Sequence, residues 1–307
     1  MEQRGTKRLK SITEFHRSRG LPYPEHPLIS VIDYSTVQRP DDIGDVNWVF
    51  DFYMISLKIG INGKLKYGQQ QYDFDEGTMF FIAPHQVFRI EGTSGSQLEQ
   101  SGWMLLIHPD FFWNSPLAKS IKKYDFFGYS VNEALFLSKK EEHTINGIIE
   151  NIQQEYHANI DKFSQNIIIS CLDTLLNYSE RFYERQFITR KIPHHKILNR
   201  LEDLLTTYFK DDDLILKKLP SVQYVADELH VSPNYLSRLL TAIAGQSTQQ
   251  FIHDKLIEKA KERLSTTDLS ISEIAYGLGF EYPQSFTKLF KNKTSLSPLE
   301  FRNSFHQ

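Results

Sequence analysis

The sequence has 307 residues, 40% of them hydrophobic and 24% charged, with a formal net charge of −3 at pH 7. That balance suits a globular protein of about two domains, each long enough to bury a core. The opening MEQRGTKRLK has no apolar run behind it and nowhere do 18 consecutive apolar residues occur, so the reading is neither signal peptide nor membrane span, and a cytoplasmic location is expected.

Residues 1–27 are basic and polar, with Pro22, Pro24 and Pro27, and read as a mobile arm outside the core. Residues 28 to about 110 are strand-like: WVFDFYMISLKIG, GKLKYGQQQYDF, GTMFFIAPHQVFRIEG and GWMLLIHP are short β-branched and aromatic runs, punctuated by Gly, Pro and Asn about every dozen residues. That spacing predicts a small all-β sandwich or barrel, with most of the aromatics filling its interior. From Ser138 the period becomes three and four, so SKKEEHTINGIIENIQQEYHANI and KFSQNIIISCLDTLLNYSERFYERQF read as helices. In the second, Ile167, Ile168, Cys171, Leu172, Leu175, Leu176, Tyr178 and Phe182 form a wide stripe that must bury. The adjoining β-domain is expected to cover part of it and the same helix of a second chain the rest. Cys171, the single cysteine, cannot form an internal disulfide and reads as a small core hydrophobe.

Pro193 interrupts the helical pattern, and a further helix follows around residues 196–209. His194 and His195, adjacent and without a third ligand at useful spacing, read as exposed polar residues rather than a metal site. The domains expected are therefore an arm over 1–27, a β-domain with trailing helices over 28–185, a linker and helix over 186–216, and a last domain over 217–307. That last segment carries 11 Lys plus Arg against 9 Asp plus Glu, and the rest of the chain 24 against 29. The asymmetry is too small to imply a nucleic-acid partner by itself.

The last segment contains an internal repeat. SVQYVADELHVSPNYLSRLL, beginning at Ser221, recurs as SISEIAYGLGFEYPQSFTKLF, beginning at Ser270. Val225, Ala226 and Leu229 match Ile274, Ala275 and Leu278 at an offset of 49, while Leu236, Arg238, Leu239, Leu240, Ser247 and Phe251 match Phe286, Lys288, Leu289, Phe290, Ser297 and Phe301 at 50. The extra residue falls in a turn, as duplication of a helix–turn–helix would leave it. Ser221 can cap the first helix, Ser232-Pro233 supplies an N-cap and N1 proline for the second, and Ser270 with Glu273 forms a capping box. Ala226 and Ala275 are small enough for a close crossing, and Gly277 and Gly279 mark a helix end and its turn.

Periodicity turns Leu236, Leu239, Leu240 and Ile243 inward and leaves Asn234, Ser237, Arg238 and Thr241 outward. In the second copy Phe286, Leu289 and Phe290 point inward and Gln284, Ser285, Lys288 and Lys291 outward. Amides, hydroxyls and one or two cations are the groups that read base edges: Arg or Lys on guanine, Asn or Gln on adenine, hydroxyls on either base or phosphate. STQQFIHDKLIEKAKERLSTTDLS between the copies can form a helix of roughly 15 residues, roughly 22 Å long, spacing two such helices about one DNA turn of 34 Å apart.

IAYGLGFEYPQSFTKLFKNKTSLSPLEFR carries an Ile-Ala pair, a Gly-Phe turn, an aromatic-plus-Phe recognition helix and a Ser-Pro-x-x-aromatic-Arg ending. In these features residues 217–307 resemble the DNA-binding domain of the AraC/XylS family of bacterial transcription regulators, and the N-terminal part is similar, less specifically, to the cupin-like sensing domain many of them carry. The resemblance implies an α+β chain of two domains: an N-terminal cupin-like β-barrel with following helices, and a C-terminal all-α domain with two helix–turn–helix motifs. It implies a sequence-specific DNA-binding regulator rather than an enzyme, with no cofactor and no metal. The partners implied are double-stranded promoter DNA across two adjacent major grooves, RNA polymerase, a small-molecule effector and a second copy of the chain. Ser232, Asn234, Ser237, Arg238, Thr241, Gln284, Ser285, Lys288 and Lys291 would contact DNA, with Arg238 and Lys288 foremost. Trp48, Tyr53, Phe80, Arg89 and Trp103 are the large or charged residues available for an effector pocket.

Two departures from the family pattern stand out. LLTAIAG follows Arg238 where the family commonly has Phe-Lys-Lys, which leaves fewer phosphate contacts there. Ser295 replaces a usual glycine, so it must adopt a positive φ at a cost or take another cap. The alternative reading is a cupin-type metal-dependent enzyme fused to a DNA-binding tail. Such a site needs two or three His and a carboxylate, whereas GTMFFIAPHQVFRIEG offers His85 alone and no His-x-His occurs within residues 28–110.

Overall fold

The computed structural model describes residues 6–38, 46–59, 66–67, 70–71, 77–88, 101–129, 133–158, 161–189, 191–210 and 218–304. They fall into two units, Met1–Gln186 and Phe187–Gln307. The first runs β1 (Thr6–Leu9), α1 (Ile12–Ser18), β2 (Ile29–Asp33), β3 (Asn47–Phe50), β4 (Tyr53–Ile59), β5 (Lys66–Tyr67), β6 (Gln70–Gln71), β7 (Gly77–Ile82), β8 (Val87–Phe88), β9 (Ser101–Ile107), α2 (Leu117–Ser120), β10 (Leu135–Leu137), α3 (Lys139–His157) and α4 (Ser164–Thr189), whose end passes into the second. The second is helical: α5 (Lys191–Lys210), α6 (Val222–Leu229), α7 (Pro233–Ala244), α8 (Thr248–Thr266), α9 (Ile271–Gly277), α10 (Pro283–Thr294) and α11 (Pro298–Asn303). The chain is thus α+β, with its sheets N-terminal.

Strand alternation sorts the first unit into two faces. The large sheet has the order β10-β7-β4-β9-β2 and is antiparallel throughout. On one face Tyr53, Ile55 and Leu57 line up with Phe81, Met79, Leu105 and Trp103. This face meets the helical layer: Trp103 Nε1 donates to Asn146 Oδ1 of α3 at 2.9 Å, and Phe81 lies 4.5 Å from Phe126 between ring centroids. On the other face Met54, Ile82, Met104, Leu106 and Ile32 share one core with Trp48, Phe50 and Phe88 of the small sheet β1-β3-β8. Among the described residues the two sheets are open and do not close into the expected barrel: β1, β3 and β8 hydrogen-bond only to one another, and β8 spans just two residues.

The N-terminal arm is a correction. Residues 6–21, expected outside the core, form part of it: β1 pairs in parallel with β3, from Thr6 opposite Asn47 to Leu9 opposite Phe50. Ile12 is 0% and Phe15 2% exposed, and Phe15 stands edge-on to Phe50 at 5.6 Å. Arg8 donates to both carboxylate oxygens of Asp51, at 2.7 and 3.0 Å, clamping the strand from outside. Three apolar residues, Leu9, Ile12 and Phe15, spaced by three among charges, suffice to anchor the segment.

In the helical layer, a Ser138–Glu141 capping box opens α3, which buries Ile145, Ile148, Ile149, Ile152 and Tyr156. Along α4, Ile168, Leu172, Leu175, Leu176 and Phe182 are buried, but Ile167 is 45% exposed, as is its neighbour Phe163 at 55%. Cys171 is half-buried and burial pushes its thiol pKa up, as suits a packing residue. Pro193 falls in the first turn of α5, where a missing N–H costs nothing. The side chains of His194 and His195 lie outside the described residues. Residues 191–210, expected as a separate linker and helix, enter the core of the second unit, with Leu201, Leu205 and Phe209 packed in the cluster that holds Val225, Leu236, Leu256, Ile274 and Phe286.

Two left-handed positions recur in each copy of the repeat. His230 (φ 58°) and Gly279 (φ 86°) occupy one, after α6 and α9; Gly245 (φ 68°) and Ser295 (φ 64°) occupy the other, after α7 and α10. Gly245 N donates to Thr241 O at 3.1 Å and Ser295 N to Lys291 O at 2.8 Å, so Ser295 keeps the glycine's cap despite its Cβ. A non-glycine residue in this region costs about 1 kcal/mol. Ser295→Gly should therefore raise stability by about 0.5–1 kcal/mol while Gly245→Ala lowers it, read as shifts of the urea midpoint; a destabilised Ser295→Gly would contradict this account of the cap.

His16, 7% exposed, donates from Nδ1 to Pro22 O at 2.5 Å, and its Nε2 hydrogen-bonds with Ser30 Oγ at 2.9 Å. Burial holds its pKa below the ordinary value of 6.5. The unfolded chain therefore takes the proton first: this stability is complete above the unfolded pKa and is lost as pH falls through the folded one, by up to about 1.4 kcal/mol per pH unit. Urea midpoints measured at about pH 7.5 and 5.5 should show a larger loss in the wild type than in His16→Gln; equal losses would remove His16 as the source.

Candidate nucleic-acid interface

Each helix–turn–helix is built from the caps its sequence supplies. Ser221 Oγ accepts from Tyr224 N at 3.1 Å to start α6, and Ser232 Oγ accepts from Tyr235 N at 3.2 Å to start α7, with Pro233 at the first helical position. In the second copy the Ser270–Glu273 capping box is complete and Pro283 opens α10. The turns close alike: Val231 N donates to Ala226 O at 3.0 Å and Phe280 N to Ala275 O at 3.1 Å. Ala226 and Ala275 are both 0% exposed. The second turn is reinforced by Arg263 Nη1 of α8, which donates to Gly277 O at 3.0 Å and would lie 2.7 Å from a Cβ at that position.

Inward residues are where the period puts them: Leu236, Leu239, Leu240, Phe286 and Phe290 are 0% exposed, with Ile243 and Leu289 half-buried. Of the outward set, Asn234 and Thr241 on α7 and Gln284, Ser285, Lys288 and Lys291 on α10 are exposed, while Ser237 and Arg238 are half-buried. Ser232 is 7% exposed and its oxygen is engaged in the cap, so it belongs to the start of α7 rather than to its open face. Lys288 makes no ion pair among the described residues, whereas Lys293 is tied to Asp254 of α8 at 2.6 Å.

Charge is segregated within this unit. The nine acidic residues of 217–307 lie on α6, α8, α9, α11 and the connecting turns, and neither α7 nor α10 carries one. Arg238, Lys288, Lys291 and Lys293 stand on those two helices, so the near-neutral net charge hides two helices that carry cations and no acid. Ion pairing elsewhere absorbs some of the acids, as in Lys255–Glu258 at 3.1 Å and Lys259–Glu262 at 2.8 Å along α8. The joining helix α8 has 19 residues rather than the expected fifteen or so, about 28 Å of helix at 1.5 Å per residue. A Ser247–Gln250 capping box starts it early, and Thr266 Oγ1 donates back to Glu262 O at 2.7 Å at its end.

Sequence periodicity missed the aromatics around the second turn. Tyr282, at the N-cap of α10 with no side-chain cap bond, is 63% exposed, and Tyr276 is 46% exposed. It also assigned no role to Tyr235, which is 6% exposed and packs 5.2 Å from Phe187 between ring centroids.

The effector-pocket candidates divide by face. Trp48 and Phe80 lie on the side between the sheets, Tyr53 and Trp103 on the helical side, where Tyr53 meets Phe112 and Phe127 at 5.8 and 5.0 Å. Arg89 lies outside the described residues. His85 sits in a turn at φ 66°, its Nδ1 3.2 Å from Asp51 Oδ1. Among the described residues no group of three or more His, Cys, Asp or Glu could hold a metal ion, and the alternative reading as a metal-dependent enzyme gains no support. Among them, too, no helix is long and apolar enough to cross a membrane.

Comparison with known proteins agrees with this geometry. The helix-turn-helix domain family model matches residues 225–304. The chain is 26% identical over 261 residues to the uncharacterized HTH-type transcriptional regulator YfiF of Bacillus subtilis, covering 83% of this chain and 77% of that one. It is 34% identical over 82 residues to the uncharacterized HTH-type transcriptional regulator YijO of Escherichia coli, covering 27% of this chain and 29% of that one. Among solved structures, the C-terminal domain of AraT, a response regulator from Geobacillus stearothermophilus, is 32% identical, covers 35% of this chain and 84% of that one, and has a TM-score of 0.31. The C-terminal unit carries an AraC-type helix–turn–helix domain, and the chain is a DNA-binding transcription regulator.

Proposed function

We propose that α7 and α10 read two adjacent major grooves of promoter DNA and that the N-terminal unit, a cupin-like sandwich, governs that reading in response to an effector. The observation that carries this is the pair of helices without acidic residues placed at matching positions of the repeat. Arg238 and Lys288 take guanine edges, Asn234 and Gln284 adenine edges, and Ser237, Thr241 and Ser285 supply hydroxyls. Lys291 holds phosphate, and Ser232 acts by fixing the helix start that faces the backbone. RNA polymerase is the partner through which such a complex would act on transcription.

The regulator binds as a homodimer in this reading. Its support is a groove of about 410 Å³ between α3 and α4, lined by Ile148, Phe163, Ile167 and Cys171, with Phe163 and Ile167 about half exposed. A second copy of α4 would cover the part of the stripe that the β-domain leaves open. Equilibrium sedimentation at tens of micromolar should give a dimer for the wild type and a monomer for Ile167→Glu; a monomeric wild type would remove this part. On DNA, Arg238→Ala should relax base preference at one position by about 1–3 kcal/mol, read by competition binding with single-base variants of a selected site. An equal loss on all sequences would make Arg238 a phosphate contact instead.

A further inference from the structure

The face of the large sheet that looks toward the small sheet ends in a group of donors without acceptors. Met54, Ser56 and Lys58 alternate onto this face of β4, and the register with β7 sets Phe80 opposite Ser56 and Thr78 opposite Lys58, close enough for directly opposed side chains to share a ligand. Ser56 is 1% and Thr78 0% exposed, and neither hydroxyl has a hydrogen-bond partner. Lys58 Nζ lies 5.2 Å from the ring centroid of Tyr34 and 5.4 Å from that of Phe80, and it pairs with no carboxylate among the described residues. Two aromatic faces steady the cation but accept none of its three N–H bonds.

Each buried hydroxyl left unmade costs about 1–3 kcal/mol, and native cores carry few of them. Two on one strand pair beside an ammonium have a common solution. All three groups can donate, and the half-buried ammonium can do nothing else, so one anionic oxygen would satisfy them together. One cation with two neutral hydroxyls balances a single negative charge.

We propose that Lys58, Ser56 and Thr78 form the subsite for the carboxylate of a monoanionic effector. This rests on the reading of the N-terminal unit as the sensing unit and names the chemistry it senses.

The test is thermal unfolding of the full chain with benzoate, phenylacetate, hexanoate and octanoate at millimolar concentration, each beside its primary amide. At least one carboxylate should raise the midpoint while its amide does not, and Lys58→Met should weaken that carboxylate at least tenfold. Stabilisation by no carboxylate, equal stabilisation by the amide, or unchanged binding to Lys58→Met would overturn the proposal. A second measurement needs no ligand: Ser56→Ala and Thr78→Val, which remove hydroxyls with nothing to bond, should be at least as stable as the wild type, whereas a clear loss in both would show that the hydroxyls serve the fold. None of these readouts uses DNA, so failure here leaves α7 and α10 in their role. Carboxylate binding that leaves DNA affinity unchanged would sink effector control and keep the subsite.

Discussion

One backbone hydrogen bond, made once in each copy of the repeat, holds the geometry on which DNA reading depends. The first N–H past each turn, on Val231 and on Phe280, returns to the carbonyl of a fully buried alanine, Ala226 or Ala275. A larger side chain at either alanine would push the second helix off the first, and the inward leucines and phenylalanines could no longer fill one core. Everything on the outward faces follows, because a helix whose Leu236, Leu239 and Leu240 are fixed inward has no freedom to rotate Asn234 or Arg238 elsewhere. A nineteen-residue α8, packed through Leu256, Ile257, Ala260 and Leu264, joins the two copies in the same core. In the proposed reading recognition is a consequence of packing, with affinity left to a few cations on two helices that carry no acid.

The two units solve opposite problems. From α6 onward every helix start is answered by a serine, a proline or both, and the turn carbonyls accept from backbone donors and, at Gly277, from Arg263. In the N-terminal unit the helical side of the large sheet also finds partners, as in the Trp103 indole on Asn146. The side toward the small sheet does not, since Ser56 and Thr78 keep buried hydroxyls without partners.

Much of the C-terminal unit was legible in the sequence because its signals are local. Ser221, Ser232-Pro233 and Ser270 with Glu273 announce helix starts within four residues, and the apolar period separates Phe286 and Phe290 from Gln284 and Lys288 without any knowledge of the partner helix. What was not legible is non-local. The parallel pairing of β1 with β3 joins residues some forty apart, and nothing near Leu9 or Phe15 states it. Alternation assigned Tyr53 and Met54 to opposite faces but could not tell which face meets helices and which meets the small sheet. Hence Tyr53 and Trp103 read like pocket residues until the fold placed them against Phe127 and Asn146, and the small hydroxyls of Ser56 and Thr78 drew no notice. Charge misled in the same way, for a segment total averages over faces that only the structure separates.

The central claim is that two matched helices read DNA together. Its most direct test is selection of duplexes from a random pool by the full-length protein at about 150 mM salt, where phosphate contacts alone bind weakly. The account predicts a motif of two short blocks whose centres lie about one helical turn, 10 to 10.5 base pairs, apart. A single uninterrupted block, or a pool in which no sequence is enriched, would contradict it.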